Sequence, residues 1–235
     1  MKDYERPISL ANNKHATTFQ KEEGRRASNQ LESITSTFMI RRLQKDVLQS
    51  LLPPRSEILL FCKPSTLQSN LYKELTSTST ALSDPLPLLT MLRKLCTHPK
   101  LLNQNENDGD NNLDCSFSGK LEILESLLES IRKQCPNDKV VVVSNFTSAL
   151  SLIKEMIIDK RGWPSIRLDG TVNQASRQSL VDSFNRGSIE HSFIFLLSSK
   201  AGGCGLNLCK ANRLIMVDGD WNPATGMFVT SLVFV

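Results

Sequence analysis

The stretch KVVVVSNFTSALSLI, Lys139–Ile153, joins a run of four valines to a polar turn and then to a segment with helical spacing. A short, continuous run of β-branched residues suits a strand buried on both faces, as in a parallel sheet. The same alternation continues downstream. A helix over about 148–160 leads to a strand at SIRLD (165–169). A second helix over about 174–186, closed by Gly187, leads to a strand at SFIFLL (192–197), and a last strand is predicted at RLIMVD (213–218). Upstream, GKLEILESLLESIRKQC reads as an amphipathic helix with Leu121, Leu124, Leu127, Leu128 and Ile131 on one face. Strand and helix in this rhythm imply βαβ units and an α/β fold with a parallel sheet. Ligands of such sheets gather at the carboxyl ends of the strands. Ser144, Asp169, Ser198 and Asp218 fall at or near those ends.

Ahead of this region the texture differs. Residues 103–117, NQNENDGDNNLDCSF, form a polar Asn/Asp/Gly linker and mark a domain boundary. Residues 38–102 read as mainly helical. FMIRRLQKDVLQSLLPPR has Phe38, Ile40, Leu43, Val47, Leu48, Leu51 and Leu52 near helical spacing, with Pro53 and Pro54 as the stop. SEILLFCK (Ser56–Lys63) reads as a strand, and Ser65 or Thr66 is placed to cap the helix that follows. PLPLLTMLRKLCTHPKLL reads as a helix ending near His98–Pro99. Residues 1–37 read as a polar loop followed by a helix around Ala27–Ile34. The α/β region spans 118–224, and 225–235 is an atypical apolar tail.

The chain has 235 residues and a net charge of +4, which by itself selects no partner. Residues 1–50 carry nine Lys/Arg against six Asp/Glu, a mild basic surplus that a solvated helical face explains better than a polyanion does from charge alone. The cysteines (Cys62, Cys96, Cys115, Cys135, Cys204, Cys209) include no CxxC pair, and His15, His98 and His191 are scattered. Neither a zinc site nor a disulfide framework has the spacing it needs, and free thiols point to a reducing compartment. MKDYERPISL lacks the form of a signal peptide, and GMFVTSLVFV is too short to cross a bilayer.

SSKAGGCGLNL (Ser198–Leu208) crowds three glycines and two hydroxyls behind a strand. A turn of this kind brings backbone N–H groups close to a phosphate, or is simply tight. It is not a dinucleotide fingerprint, because Gly203-Cys204-Gly205 is followed by Leu206, Asn207 and Leu208 without the third glycine. Nor is there a P-loop, since Gly119-Lys120 continues into Leu121 and Asp114 stands where the first glycine belongs. LIMVD resembles a Walker B strand ending in an acid, but without a P-loop it has no phosphate partner, and an ordinary strand end is the better reading.

LLSSKAGGCGLNL followed by ANRLIMVDGDWNPA closely resembles motif V and its extension in the Swi/Snf-type DNA translocases of helicase superfamily two. VVVVSNFTSALSLI resembles their motif IV, and RLDGT with RQSLVDSFN resembles the segment between. FMIRRLQKDVLQSLLPPR and LRKLCTHPKLL resemble the helical segments joining the two motor lobes. The spelling is closest to the recombination-repair, Rad-type branch, over about Phe38–Ala224. The resemblance implies a RecA-like second helicase lobe after a mainly helical inter-lobe segment. It implies an ATP-dependent double-stranded DNA translocase that works beside a RecA-like recombinase in the nucleus, with ATP and Mg²⁺ used by the complete motor. On the matching positions, Ser144, Asn145, Arg177, Ser198, Ser199 and Lys200 are expected to meet DNA phosphate, with Arg167 a weaker candidate. Gly202, Gly203, Gly205 and Asn207 are expected near the ATP interface. Trp221 and Pro223 are expected to pack.

The chain departs from that family in two respects. It holds no Walker A lysine and no convincing Walker B acid, and after DWNPA it reads TGMFVTSLVFV instead of the arginine-rich motif VI. The expectation is therefore that this chain alone binds DNA phosphate, binds no cofactor and does not hydrolyse ATP. The alternative is a non-catalytic truncated product that binds DNA or a partner. An unrelated nucleotide-binding α/β protein explains neither SSKAGGCGLNL nor DWNPA.

Overall fold

A computed structural model describes residues 2–40, 56–77, 85–102, 114–202 and 206–219. The chain divides into two compact units, Met1–Pro53 and Pro54–Val235.

In the first unit, α1 (Lys2–Ala11) and α2 (Thr18–Thr35) form a helical hairpin. The loop expected across most of 1–37 is thus largely helix, and the helix expected at Ala27–Ile34 begins nine residues earlier, at Thr18. Thr17 starts it with a reciprocal capping box: its hydroxyl accepts from the Gln20 N–H, and the Gln20 side chain accepts from the Thr17 N–H. The polar composition hid α1 and the start of α2, because little apolar surface is buried there. Phe38 lies in a turn and Met39 and Ile40 in no regular element, while the rest of the helix expected to Leu52 lies outside the described residues.

The second unit opens with an extended segment where a strand was expected. Ser56–Lys63 is not a strand: it pairs with no strand among the described residues. Ile58, Leu59 and Phe61 are 81%, 77% and 88% exposed. Strand-forming residues make a strand only where a ladder partner exists, and propensity cannot supply one. Helix α3 (Thr66–Ser77) follows, capped by Ser65, whose hydroxyl accepts from the Gln68 N–H at 3.1 Å. Helix α4 (Pro85–Thr97) ends at His98, and a short 3₁₀ turn covers Pro99–Leu101. Buried Gln68 ties these pieces together, donating to the Leu95 carbonyl at 2.8 Å and accepting from the Gly119 N–H at 3.3 Å.

Helix α5 (Gly119–Gln134) then leads into the sheet, with Leu121, Leu124, Leu128 and Ile131 buried and Leu127 partly so. The strands are β1 (Lys139–Ser144), β2 (Ser165–Leu168), β3 (Ile194–Ser198) and β4 (Ala211–Met216). They lie in the order β2-β3-β1-β4, all parallel. This is the α/β, RecA-like arrangement expected for the lobe. Helix α6 (Thr147–Ile153) continues as a π-helical stretch over Lys154–Asp159, α7 spans Gln174–Arg186, and α8 is the short turn Ser199–Gly202.

The four valines explain the sheet. Val140 and Val142 face a core built by α5 and α6, with Leu128, Leu150 and Ile153. Val141 and Val143 face a second core built around α7, with Val181, Phe184 and Leu197. Each fully buried aliphatic side chain contributes roughly 1.5–3 kcal/mol. The chain leaves β1 toward the first core through Ala149 and Leu150, and leaves β3 toward the second through Ala201 and Leu206. Neighbouring strands whose connections depart to opposite faces open a crevice between their carboxyl ends.

Candidate nucleic-acid interface

That crevice lies between β1 and β3, where Ser144 and Ser198 are paired in register. Both serines are buried, as is Ser199. The next residues on each side meet across it, since the Ser199 hydroxyl donates to the Asn145 side-chain carbonyl. From β4, the Val217 N–H extends the ladder to the Val143 carbonyl at 3.0 Å and delivers Asp218 to the same edge. One Asp218 carboxylate oxygen accepts from the Asn145 N–H at 2.8 Å, and the other accepts from the Ser144 hydroxyl. The Ser144 oxygen in turn accepts from the Phe146 N–H at 3.1 Å. Four side chains from three strand ends thus form one connected network, and a carboxylate that accepts two such bonds is held firmly.

The sequence candidates separate under this geometry. Ser144, Asn145, Ser198 and Ser199 come together. The hydroxyls of Ser144 and Ser199 are engaged inside the chain, which leaves the outward positions to Asn145 and Lys200. Asn145 is half-buried, and its amide NH₂ has no acceptor among the described residues. Lys200 is exposed and forms no ion pair among them. Arg177 lies in the first turn of α7 and its Nε donates to the Val172 carbonyl at 3.2 Å. Arg167 is tied down: it bonds Asp169 at 2.7 Å, the Ser151 hydroxyl at 2.8 Å and the Thr147 carbonyl at 3.2 Å. Asp169 also accepts from the Thr171 hydroxyl and N–H, which, with Arg167, hold its carboxyl below the usual range. Asn207 is not part of the cluster. Its carbonyl accepts from Asn185 at 2.8 Å, beside the amino end of β4. Gly202 closes α8, while Gly203, Gly205, Trp221 and Pro223 lie outside the described residues.

Two cations missed by sequence reasoning brace the segment after β4. Lys120 of α5 donates to the Val217 carbonyl at 3.1 Å. Arg93 of α4 donates to the Gly219 carbonyl, and its guanidinium lies 5.4 Å from the centre of the Phe146 ring. Neither has a local sequence signal, since each acts across about a hundred residues. Asp218 had one: an acid ending a strand that neighbours a Ser-Asn turn.

Comparison with known proteins bears on what such an edge serves. Residues 119–227 match the helicase conserved C-terminal domain, and residues 1–101 match the SNF2-related domain. The chain is 42% identical to DNA repair protein rhp54 of Schizosaccharomyces pombe, over 95% of this chain and 29% of that protein. It is 36% identical to DNA repair and recombination protein RAD54B of Homo sapiens, over 99% of this chain and 29% of that protein. The chain belongs to the SNF2-related family, on its Rad54-type branch. It spans less than a third of the length of these Rad54-type relatives. The SWI2/SNF2 ATPase core domain of Sulfolobus solfataricus shares the fold at TM-score 0.63 and 24% identity, covering 92% of this chain and 45% of that one. The same core solved in complex with dsDNA aligns at TM-score 0.61 and 23% identity, covering 97% of this chain and 46% of that one. Among the described residues no helix is long and apolar enough to cross a membrane.

Proposed function

We propose that this chain supplies the inter-lobe segment and second motor lobe of a nuclear, ATP-driven double-stranded DNA translocase of homologous-recombination repair. The observation that carries the reading is the crevice between β1 and β3. Asn145 offers an amide there, and Lys200 stands exposed one residue beyond Ser199. Amide and ammonium groups at a strand edge grip phosphate oxygens without reading bases, which is what a motor tracking along a duplex requires. Arg177, at the start of the helix after β2, adds a cation along the same carboxyl edge. The recorded complex of the Sulfolobus core with dsDNA supports the same class of ligand.

ATP and Mg²⁺ belong to the complete motor in this reading, with Gly202, Gly203, Gly205 and Asn207 on the side turned to the nucleotide. The residues of this chain include no P-loop and no arginine-rich motif VI, so by themselves they do not hydrolyse ATP. In the same reading a RecA-like recombinase is the partner of the whole protein, as the resemblance of SSKAGGCGLNL and its neighbours to the Rad-type branch implies.

The test is fluorescence anisotropy on two labelled duplexes of unrelated sequence, with salt raised from about 50 to 200 mM. Equal affinity for both duplexes, falling linearly in log–log form with salt, is expected. Salt-insensitive or sequence-selective binding would overturn the interface. DNA-stimulated phosphate release by this chain would overturn the statement about hydrolysis.

A further inference from the structure

Asp218 is buried behind the edge and meets Asn145 only at its backbone N–H, so its carboxylate needs a reason other than ligand contact to be there. Its two oxygens hold Ser144 and the Asn145 N–H, and Asn145 in turn holds the hydroxyl of Ser199, the residue before Lys200. The residues on either side of Asp218 are also pinned, Val217 by Lys120 and Gly219 by Arg93. Three consecutive positions after β4 are therefore fixed by α5, by the β1–α6 turn and by α4.

We propose that Asp218 is the positioning residue of the phosphate-facing turn, orienting Asn145 and, through it, Ser199 and Lys200, while Lys120 and Arg93 hold Asp218 in place. A bare carboxylate would repel a phosphate. Here both oxygens accept hydrogen bonds from the chain and are sheltered by it, so the negative charge is directed inward. Its removal frees the Asn145 N–H and the Ser144 hydroxyl, and the Asn145 amide loses the orientation that presents its NH₂ outward. The proposal rests on the DNA-interface reading, and the arrangement within the chain can be measured separately from it.

The experiment compares the full chain with Asp218→Ala, Asn145→Ala and the double variant. Hydrogen–deuterium exchange should rise in peptides covering 144–150 and 195–202 of Asp218→Ala, with α5 and β2 unchanged. Duplex affinity should fall about 3- to 10-fold in Asp218→Ala, the range expected for losing one or two oriented hydrogen bonds. In the Asn145→Ala background the same substitution should cost nearly nothing more, because the two act in series. A purely structural contribution would instead multiply the two losses. Unchanged exchange in the two peptides overturns the positioning role, as does multiplication of the affinity losses. Should the exchange rise in a molecule whose parent form shows no salt-dependent DNA binding, the interface reading falls and the proposed purpose of Asp218 falls with it. Asp218→Asn is the control for misfolding. It is isosteric and keeps an acceptor for the Asn145 N–H, so it should restore most of the protection at 195–202. A variant no better than alanine would count against the mechanism.

Discussion

Gly119 opens α5 under the Lys63 carbonyl so closely that a Cβ built on it would lie 1.8 Å from that oxygen. The contact is with backbone, which cannot swing aside. Gly119→Ala should therefore cost at least the roughly 1–3 kcal/mol of ordinary overpacking, read as a lower urea midpoint with an unchanged slope. An unshifted midpoint would mean that the Ser56–Lys63 segment simply moves away. His98 makes a different kind of demand. Its ring is wholly buried, its Nδ1 accepts from the Lys100 N–H at 3.1 Å, and its Nε2–H donates to the Asp114 carbonyl at 3.0 Å. Burial, chiefly, holds its pKa below the ordinary 6.5. The unfolded chain thus takes up this proton before the folded one does. The stability from neutral His98 is complete above about pH 6.5 and is lost as pH falls below it. Urea midpoints should drop between about pH 7.5 and 5.5, and His98→Gln should start lower but drop less. Equal drops in both would refute the assignment.

At the scale of elements, Lys139 shows how a strand start can be held by one side chain. Its ammonium donates to the carbonyls of Phe184 and Gly187 and to the Ser192 hydroxyl, and it lies 4.7 Å from the centre of the Phe184 ring. It pins β1 to the end of α7 and the loop beyond. Burial, with repulsion from Lys210 added, lowers its pKa from the usual lysine value, and it still has three acceptors to serve. Lys139→Met keeps the length of the side chain but leaves those acceptors unpaired, at a cost of about 1–3 kcal/mol measured by urea denaturation. A neutral result would mean that water serves them instead. β1 and β3 were legible because the centre of the sheet is covered on both faces, which writes them as nearly unbroken apolar runs. The edge strands β2 (SIRL) and β4 (ANRLIM) are partly exposed and were legible through their alternation with helices. α5 was legible through its stripe from Leu121 to Ile131. Ser56–Lys63 was misread because its composition is that of a strand while its pairing partner, a non-local property, is missing among the described residues. α1 and the first half of α2 were missed for the opposite reason. The capping box of α2 is a local signal, but few apolar residues announce either segment.

For the whole molecule, the sequence placed Ser144, Asn145, Ser198 and Ser199 at one edge because strand ends of a parallel sheet converge. It could not separate groups facing a ligand from groups holding each other, since that depends on which strands are neighbours. The order β2-β3-β1-β4 makes Asn145 and Ser199 adjacent and brings Asp218 in from β4. The outward charge is then Lys200, and its contribution has a definite signature. Each phosphate neutralised on duplex DNA contributes about 0.9 to the slope of log affinity against log salt. Lys200→Gln should weaken binding equally on unrelated sequences and reduce that slope by about one. Arg177→Gln should do the same only if its guanidinium leaves the Val172 carbonyl for the duplex, so a reduced slope there would report a rearrangement of the first turn of α7 on binding. If Lys200→Gln lowers affinity while the slope stays as it was, Lys200 supports the turn and does not touch phosphate. The electrostatic contact must then be sought elsewhere on the chain, beginning with the basic surplus of its first fifty residues.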